Sequence, residues 1–282
     1  MSDTTLFKGP AIGLGTWQMG ERAGQTGAEV SAITHALERG ARLIDTAEMY
    51  ANGESERRVG DALKRFGLQR RHELTIVTKV LPGNASRSGT LQACEDSLRR
   101  LGLDYVDIYL LHWQGSHPYE QTLEAFALLR ERGLIRHWGV SNFDLASLQR
   151  WIATEERLGL DDGCATNQIY YSLMARGPEF DLLPAMTAIG MPAMAYTPLG
   201  SGDLARHPQL TALAKTTHYT AAQLALAWTV RSGNVVAIPK SSRPERINDN
   251  LDAADLRLSE AVLKKIDELF PPPTRKIPLA MV

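Results

Sequence analysis

Eight short apolar runs in this chain of 282 residues each end in a polar or chemically useful side chain. Residues 11–15 lead to Thr16 and Trp17, 43–44 to Asp45, 74–78 to Lys79, and Val106–Leu111 to His112. Further along, 138–140 lead to Ser141 and Asn142, 164–166 to Asn167 and Gln168, 192–195 to Tyr196, and 235–239 to Lys240. In a closed parallel barrel all strands point the same way, so residues at their C-terminal ends gather at one mouth although they lie far apart in the chain. The pattern predicts an α/β fold: one (β/α)8 TIM barrel domain spanning 1–282.

Helical stretches alternate with the runs, as repeated βα units require. The spacing predicts a helix over 28–39 closed by a left-handed Gly40, a second beginning near Ser55, and others over 86–100 and 119–132. Further helices are predicted at 145–157, 180–189, 221–230 and 244–253, with an additional C-terminal helix at 259–269, before three prolines at 271–273 stop helix formation. A short N-terminal hairpin at 6–10 is expected to plug the barrel floor. The 31 basic and 32 acidic side chains give a net charge of −1, which offers no global attraction to nucleic acid or to an anionic membrane. The two cysteines are too few for a disulfide framework. No signal-peptide pattern or long apolar span occurs, so the expectation is a reduced, cytoplasmic protein. No paired metal-ligand spacing stands out, and no metal is expected.

The segment LIDTAEMYANGESERRVGDAL, followed by VTK, LLHW, GVSN, NQIYY, YTPLG and IPKS, resembles the aldo/keto reductase superfamily over nearly the whole chain. Within it, the chain is most similar to short bacterial reductases of the methylglyoxal-reductase type. The resemblance places Asp45, Tyr50, Lys79 and His112 at the family's four catalytic positions.

Each of these residues, met alone, would more often be a solvated or packing side chain. Their convergence on one predicted mouth favours chemistry. Reducing a carbonyl with hydride requires a proton donor beside the developing alkoxide, and Tyr50 can supply it. A phenol ordinarily loses its proton near pH 10, and the Lys79 cation is expected to lower that value. Two unit charges about 4 Å apart at an effective dielectric near 20 interact by roughly 4 kcal/mol, before competing terms. Asp45 is expected to hold Lys79 protonated while weakening its field at Tyr50. His112 would orient the substrate carbonyl. The other histidines, at 35, 72, 117, 137, 207 and 218, show no comparable setting.

By resemblance the cofactor is NADP(H). Tyr196 would lie under the nicotinamide, although its ring suits core packing equally well when read alone. Ser141, Asn142 and Gln168 would hydrogen-bond the carboxamide, and Gly15, Thr16, Trp17 and Asp45 would line the same side. Pro198 and Leu199 fall in the matching YTPLG stretch, and Ser201 directly follows it. The GLGTW string lacks the G-x-G-x-x-G spacing of a Rossmann turn. Lys240, Ser241, Arg246 and Asn250 resemble the adenosine 2′-phosphate and adenine site. Arg246 and Asn250 fall one helical turn apart, close to a helix N-terminus suited to phosphate; a solvated basic face is the alternative.

Trp17, Met49 and Trp113 would shape the entrance for substrate, beside Tyr50 and His112. The resulting expectation is NADPH-dependent reduction of small aldehydes, ketones or dicarbonyls such as methylglyoxal. A nicotinamide-binding redox sensor with little turnover is the alternative, because a fold carries more than one function.

Overall fold

The computed structural model describes residues 6–160 and 163–281. Eight parallel strands pair in chain order: β1 (Leu14–Gly15), β2 (Leu43–Asp45), β3 (Thr75–Val80), β4 (Val106–Leu111), β5 (Ile135–Ser141), β6 (Asn167–Tyr170), β7 (Ala193–Tyr196) and β8 (Val235–Ala237). The ring closes where Gly13 N–H donates to Ala237 O (2.9 Å) and Ala237 N–H to Ala11 O (2.8 Å). Closure removes the unpaired edges that an open sheet would expose.

Side-chain direction alternates along each strand, and the alternation assigns the jobs. Leu43, Val77, Ile108, Leu110, Met194, Val236 and Ile238 form the apolar interior of the barrel. Their neighbours Ile44, Ile76, Val80, Tyr109 and Leu111 belong to the larger core under the helices. Continuing the inward parity by two residues reaches Asp45, Lys79, His112 and Tyr196.

The surrounding helices are α1 (Thr26–Glu38), α2 (Glu54–Phe66), α3 (Arg87–Leu101), α4 (Tyr119–Glu131), α5 (Leu145–Leu158), α6 (Leu182–Ala188), α7 (Pro208–Ala214), α8 (Ala221–Val230), α9 (Pro244–Asp252) and α10 (Glu260–Leu269). Side chains cap several N-termini. Ser86 accepts from Gly89 N–H, Asp144 from Ser147 N–H, Ser259 from Val262 N–H, and Thr220 forms a capping box with Gln223. Gly40, with φ +105°, follows α1 in the left-handed region as its position predicts.

Three expectations need correction. Residues 6–10 form bends and no hairpin: Gly9 turns the chain at φ +75°, and Lys8 N–H donates to Thr75 Oγ1 (3.1 Å) at the start of β3 instead of pairing locally. Phe7 nevertheless packs on the barrel interior, so this bent segment covers the floor. The sixth strand lies about three residues later than the apolar run implied. β6 runs Asn167–Tyr170, although Ala165 N–H already donates to Trp138 O (2.8 Å) and Thr166 O accepts from Val140 N–H (3.0 Å), so pairing with β5 reaches back into the apolar run. Helix α7 was not anticipated. It is short, starts at a proline and is capped by the His207 side chain, leaving little periodicity to read.

Candidate active site

Asp45 ends β2, Lys79 lies in β3, and His112 follows β4, its N–H bonded to Val80 O (3.0 Å). Tyr50 opens a 3-10 turn, Tyr50–Gly53, between β2 and α2. All four side chains are buried, Lys79 completely.

The Lys79 ammonium donates to both carboxylate oxygens of Asp45 (2.8 and 2.9 Å), to Thr46 O (2.8 Å) and to the Tyr50 phenol oxygen (3.2 Å). These contacts use all three N–H directions of an ammonium. Because Lys79 occupies a lone pair of the phenol oxygen, the Tyr50 proton is directed away from it. Gln168 Nε2 donates to Asp45 Oδ1 (2.7 Å), completing the carboxylate. Burial raises the Asp45 pKa and lowers that of Lys79, and each charge pulls the other back. The two-pronged contact supports the ionised pair.

Burial, reinforced by the Asp45 charge, holds the Tyr50 phenol well above its usual pKa. This reverses the direction expected from Lys79 alone: desolvation of the phenolate outweighs the nearby cation in a dry site. The phenol therefore stays protonated through neutral pH, the state required of a proton donor. His112 is pushed well below its ordinary value, first by burial and then by Lys79, and is neutral. Its ring lies 5.8 Å from that of Tyr50, nearly edge-on, and 4.8 Å from that of Trp113. Buried Nδ1 has no hydrogen-bond partner among the described residues.

Around this centre the remaining predicted residues fall at the same ends of the strands. Tyr196 donates its hydroxyl to Asn142 Oδ1 (2.7 Å) and stacks on Tyr170 with centroids 5.8 Å apart. Asn142, in the left-handed region at φ +61°, donates through Nδ2 to His112 O (3.1 Å) and Ser141 Oγ (3.2 Å). Ser141 Oγ in turn donates to Gln168 O (2.9 Å). Thr16 is fully buried, its hydroxyl committed to Asp45 O (2.9 Å), while Gly15 pairs with Asp45 across the β1–β2 ladder. Trp17 and Met49 are exposed, and Trp113 is half-buried. In the turn after β7, Pro198 is buried, Leu199 half-buried and Ser201 exposed in the left-handed region.

At the β8–α9 edge Lys240 and Arg246 are exposed and join no ion pair among the described residues, whereas Ser241 and Asn250 are buried. The tail after α10 is held against the segment following β6. Lys276 pairs with Asp181 (3.0 Å), and Arg176 reaches both Asp267 (2.7 Å) and Phe270 O.

Sequence reasoning missed the supports behind the four residues. Ser55, read only as a helix start, donates to Thr16 O (3.0 Å) and Thr16 Oγ1 (2.7 Å), and accepts from Thr46 (3.2 Å). Glu48 accepts the Leu81 N–H (2.6 Å) and so ties the Tyr50 loop to the end of β3. The only signal for these residues is their place in the LIDTAEMYANGESE stretch.

The model of the Aldo/keto reductase family matches residues 11–270. The chain belongs to the aldo/keto reductase family. Methylglyoxal reductase YeaE of Escherichia coli (strain K12) is 43% identical over 97% of this chain and 95% of its own length. An aldo-keto reductase of Mycobacterium sp. (strain KMS) is 38% identical over 92% of this chain and 89% of its own. Among solved structures, the aldo-keto reductase from Klebsiella pneumoniae in complex with NADPH superposes with a TM-score of 0.89 at 44% identity, covering 97% of this chain and 95% of that one. In this reductase family member the eight strands, the inward parity and the four buried side chains form one unit.

Proposed function

We propose that this protein reduces small aldehydes, ketones or dicarbonyls, methylglyoxal among them, to alcohols, with Tyr50 as the proton donor. It is an NADP-dependent oxidoreductase of the aldo/keto reductase family, and no helix among the described residues is long and apolar enough to cross a membrane. We read it as a cytoplasmic enzyme of one domain that removes reactive carbonyls.

The single observation that carries the mechanism is the contact of Lys79 Nζ with the Tyr50 oxygen while the same ammonium is held by Asp45. A carbonyl oxygen placed between Tyr50 and His112 meets a protonated phenol and a neutral imidazole. As its carbon accepts hydride, the oxygen becomes an alkoxide, a stronger base than phenolate, and takes the Tyr50 proton. Lys79 then stabilises the phenolate left behind, and Asp45 keeps Lys79 charged and in place. His112 orients the carbonyl without contributing a charge.

The residues present suit NADPH, which supplies the hydride when bound. Lys240 and Arg246, exposed and without an ion pair among the described residues, match a phosphate dianion near the start of α9. Asn250 lies one helical turn after Arg246 in α9. Tyr196 offers a ring fixed by Tyr170 and Asn142, and Ser141, Asn142 and Gln168 bring amide and hydroxyl groups to the same wall. Gly15, Thr16 and Trp17 would line the nicotinamide side as well, with Pro198, Leu199 and Ser201 in the turn after β7. Trp17, Met49 and Trp113 border the entrance. The deciding experiment follows NADPH consumption against a panel of aldehydes, ketones and sugars, with kcat/KM for each. Saturable turnover of small carbonyls supports the reading; tight NADPH binding with no turnover across the panel overturns it in favour of a redox sensor.

A further inference from the structure

The reductase mechanism above does not use Glu56, yet this side chain in the first turn of α2 is completely buried. Its Oε1 accepts the Thr78 hydroxyl (2.6 Å), and its Oε2 accepts Arg100 Nε from α3 (2.5 Å). Arg100 also donates to Ser97 Oγ (3.0 Å). Thr78 points outward from β3, and the next residue, Lys79, points inward. Glu56 is thus anchored directly behind the strand position that carries the ammonium.

Arg100 reaches the other partner as well. Its stem crosses Gly53, where a Cβ would lie 2.4 Å from Arg100 Cδ. Gly53 ends the turn that begins at Tyr50, and three successive residues there are left-handed: Ala51 (φ +49°), Asn52 (φ +53°) and Gly53 (φ +84°). Side chains disfavour that region, so Ala51 and Asn52 hold such a backbone only where surrounding contacts enforce it. The contact that depends on the turn is the Lys79–Tyr50 bond, which at 3.2 Å lies at the long limit of ordinary N–H···O bonds. A small drift of the turn would break it.

We propose that Arg100 and Glu56 are positioning residues for the proton donor: this ion pair locks the left-handed turn at Gly53 to β3 at Thr78 and so sets Tyr50 against Lys79. Neither side chain touches the substrate. The inference rests on Tyr50 being the donor. One carboxylate joins α2 to β3, and one guanidinium joins α3 to the Tyr50 turn, so the two halves of the proton-transfer pair share a single buried strut.

The test compares Arg100→Met, Arg100→Lys and Thr78→Val with the parent enzyme. Thr78→Val keeps the ion pair and the strand's shape while removing one hydroxyl, and it stands in if Arg100→Met does not fold. Steady-state kinetics with an aldehyde, NADPH Kd by fluorescence and amide exchange over residues 50–54 are measured on folded protein. Misplacement of a reacting group costs up to about 100-fold, so kcat is expected to fall about 10- to 100-fold in Arg100→Met and less in Thr78→Val. NADPH Kd and aldehyde KM should stay within about 2-fold, since neither contact is to a ligand. Exchange over 50–54 should quicken, and Arg100→Lys should recover part of kcat by keeping a cation beside Glu56. An unchanged kcat in folded Arg100→Met or Thr78→Val overturns the proposal, and so does a fall in kcat matched by an equal loss of NADPH affinity. Tyr50→Phe in the same assay separates the two readings. If it is inactive while the strut variants are normal, only this inference fails; if it turns over normally, the donor assignment itself fails.

Discussion

The interior of the mouth and its β8 edge hold their positive charges in opposite ways. Lys79 is fully buried, and its three donor directions are taken by Asp45, Thr46 and Tyr50. Lys240 and Arg246 are exposed and belong to no ion pair among the described residues. The interior cation is committed before any ligand arrives, which under the proposed mechanism would fix the geometry of proton transfer in advance. The edge cations remain available for an incoming anion. Solvent screening weakens them, whereas the buried pair is little affected by salt.

The sharpest way to break this comparison is Tyr50→Phe, which removes the proton and keeps the ring. Proton-transfer catalysis contributes about 100- to 10,000-fold, so kcat should fall by that much while equilibrium binding of NADPH persists. Near-normal kcat in the folded variant would remove Tyr50 from the chemistry. Asp45→Asn comes next. It strands a buried ammonium, a change that typically costs about 3–5 kcal/mol, and a urea titration should show the midpoint shifted down accordingly. Unchanged stability would mean that the interior charge is not committed as described.

Smaller effects belong to the edge. Lys240→Ala or Arg246→Ala should weaken NADPH by about 10- to 150-fold while sparing NADH, from the typical strength of one charge-assisted hydrogen bond. The difference should shrink as salt is added. An unchanged NADPH-to-NADH affinity ratio in both variants would overturn the phosphate assignment.

The smallest expected effect concerns His112. Burial and the Lys79 charge hold its pKa well below 6.5, so between that depressed value and 6.5 the unfolded chain binds the proton that the folded chain refuses. Stability from this group is present above about pH 6.5 and is lost as pH falls. His112→Gln, unable to titrate, should therefore lose less Tm than the parent on going from pH 7 to pH 5. An identical loss in both proteins would show that His112 is not held neutral by its site.

Much of this arrangement was legible because strand parity is simple. Once Val77 and Ile108 are interior, Lys79 is interior too, and two more steps along from Ile108 reach His112. The resemblance added Tyr50, which no periodicity would find, since it sits in a turn made of left-handed residues. The supports were not legible. Glu56 and Arg100 lie 44 residues apart on separate helices, and no sequence spacing links them. The pKa of Tyr50 was misjudged for a related reason: pairing it with Lys79 captures the attraction, but the cost of desolvating a phenolate depends on burial that only the assembled barrel supplies. The floor hairpin failed because Lys8 found a partner in Thr75, across the fold, in place of a neighbour.

The immobility of Lys79 has a stereochemical outcome. An ammonium with every N–H engaged cannot swing to follow a substrate, so under the proposed mechanism Tyr50 would offer its proton from one fixed direction, with His112 beside it. With the carbonyl oxygen held there, a ketone can still turn about its C=O axis, so which face meets the hydride depends on where its two unlike substituents fit. If Trp17, Met49 and Trp113 border the substrate as proposed, they would sort the two substituents, and the alcohol formed would carry one handedness.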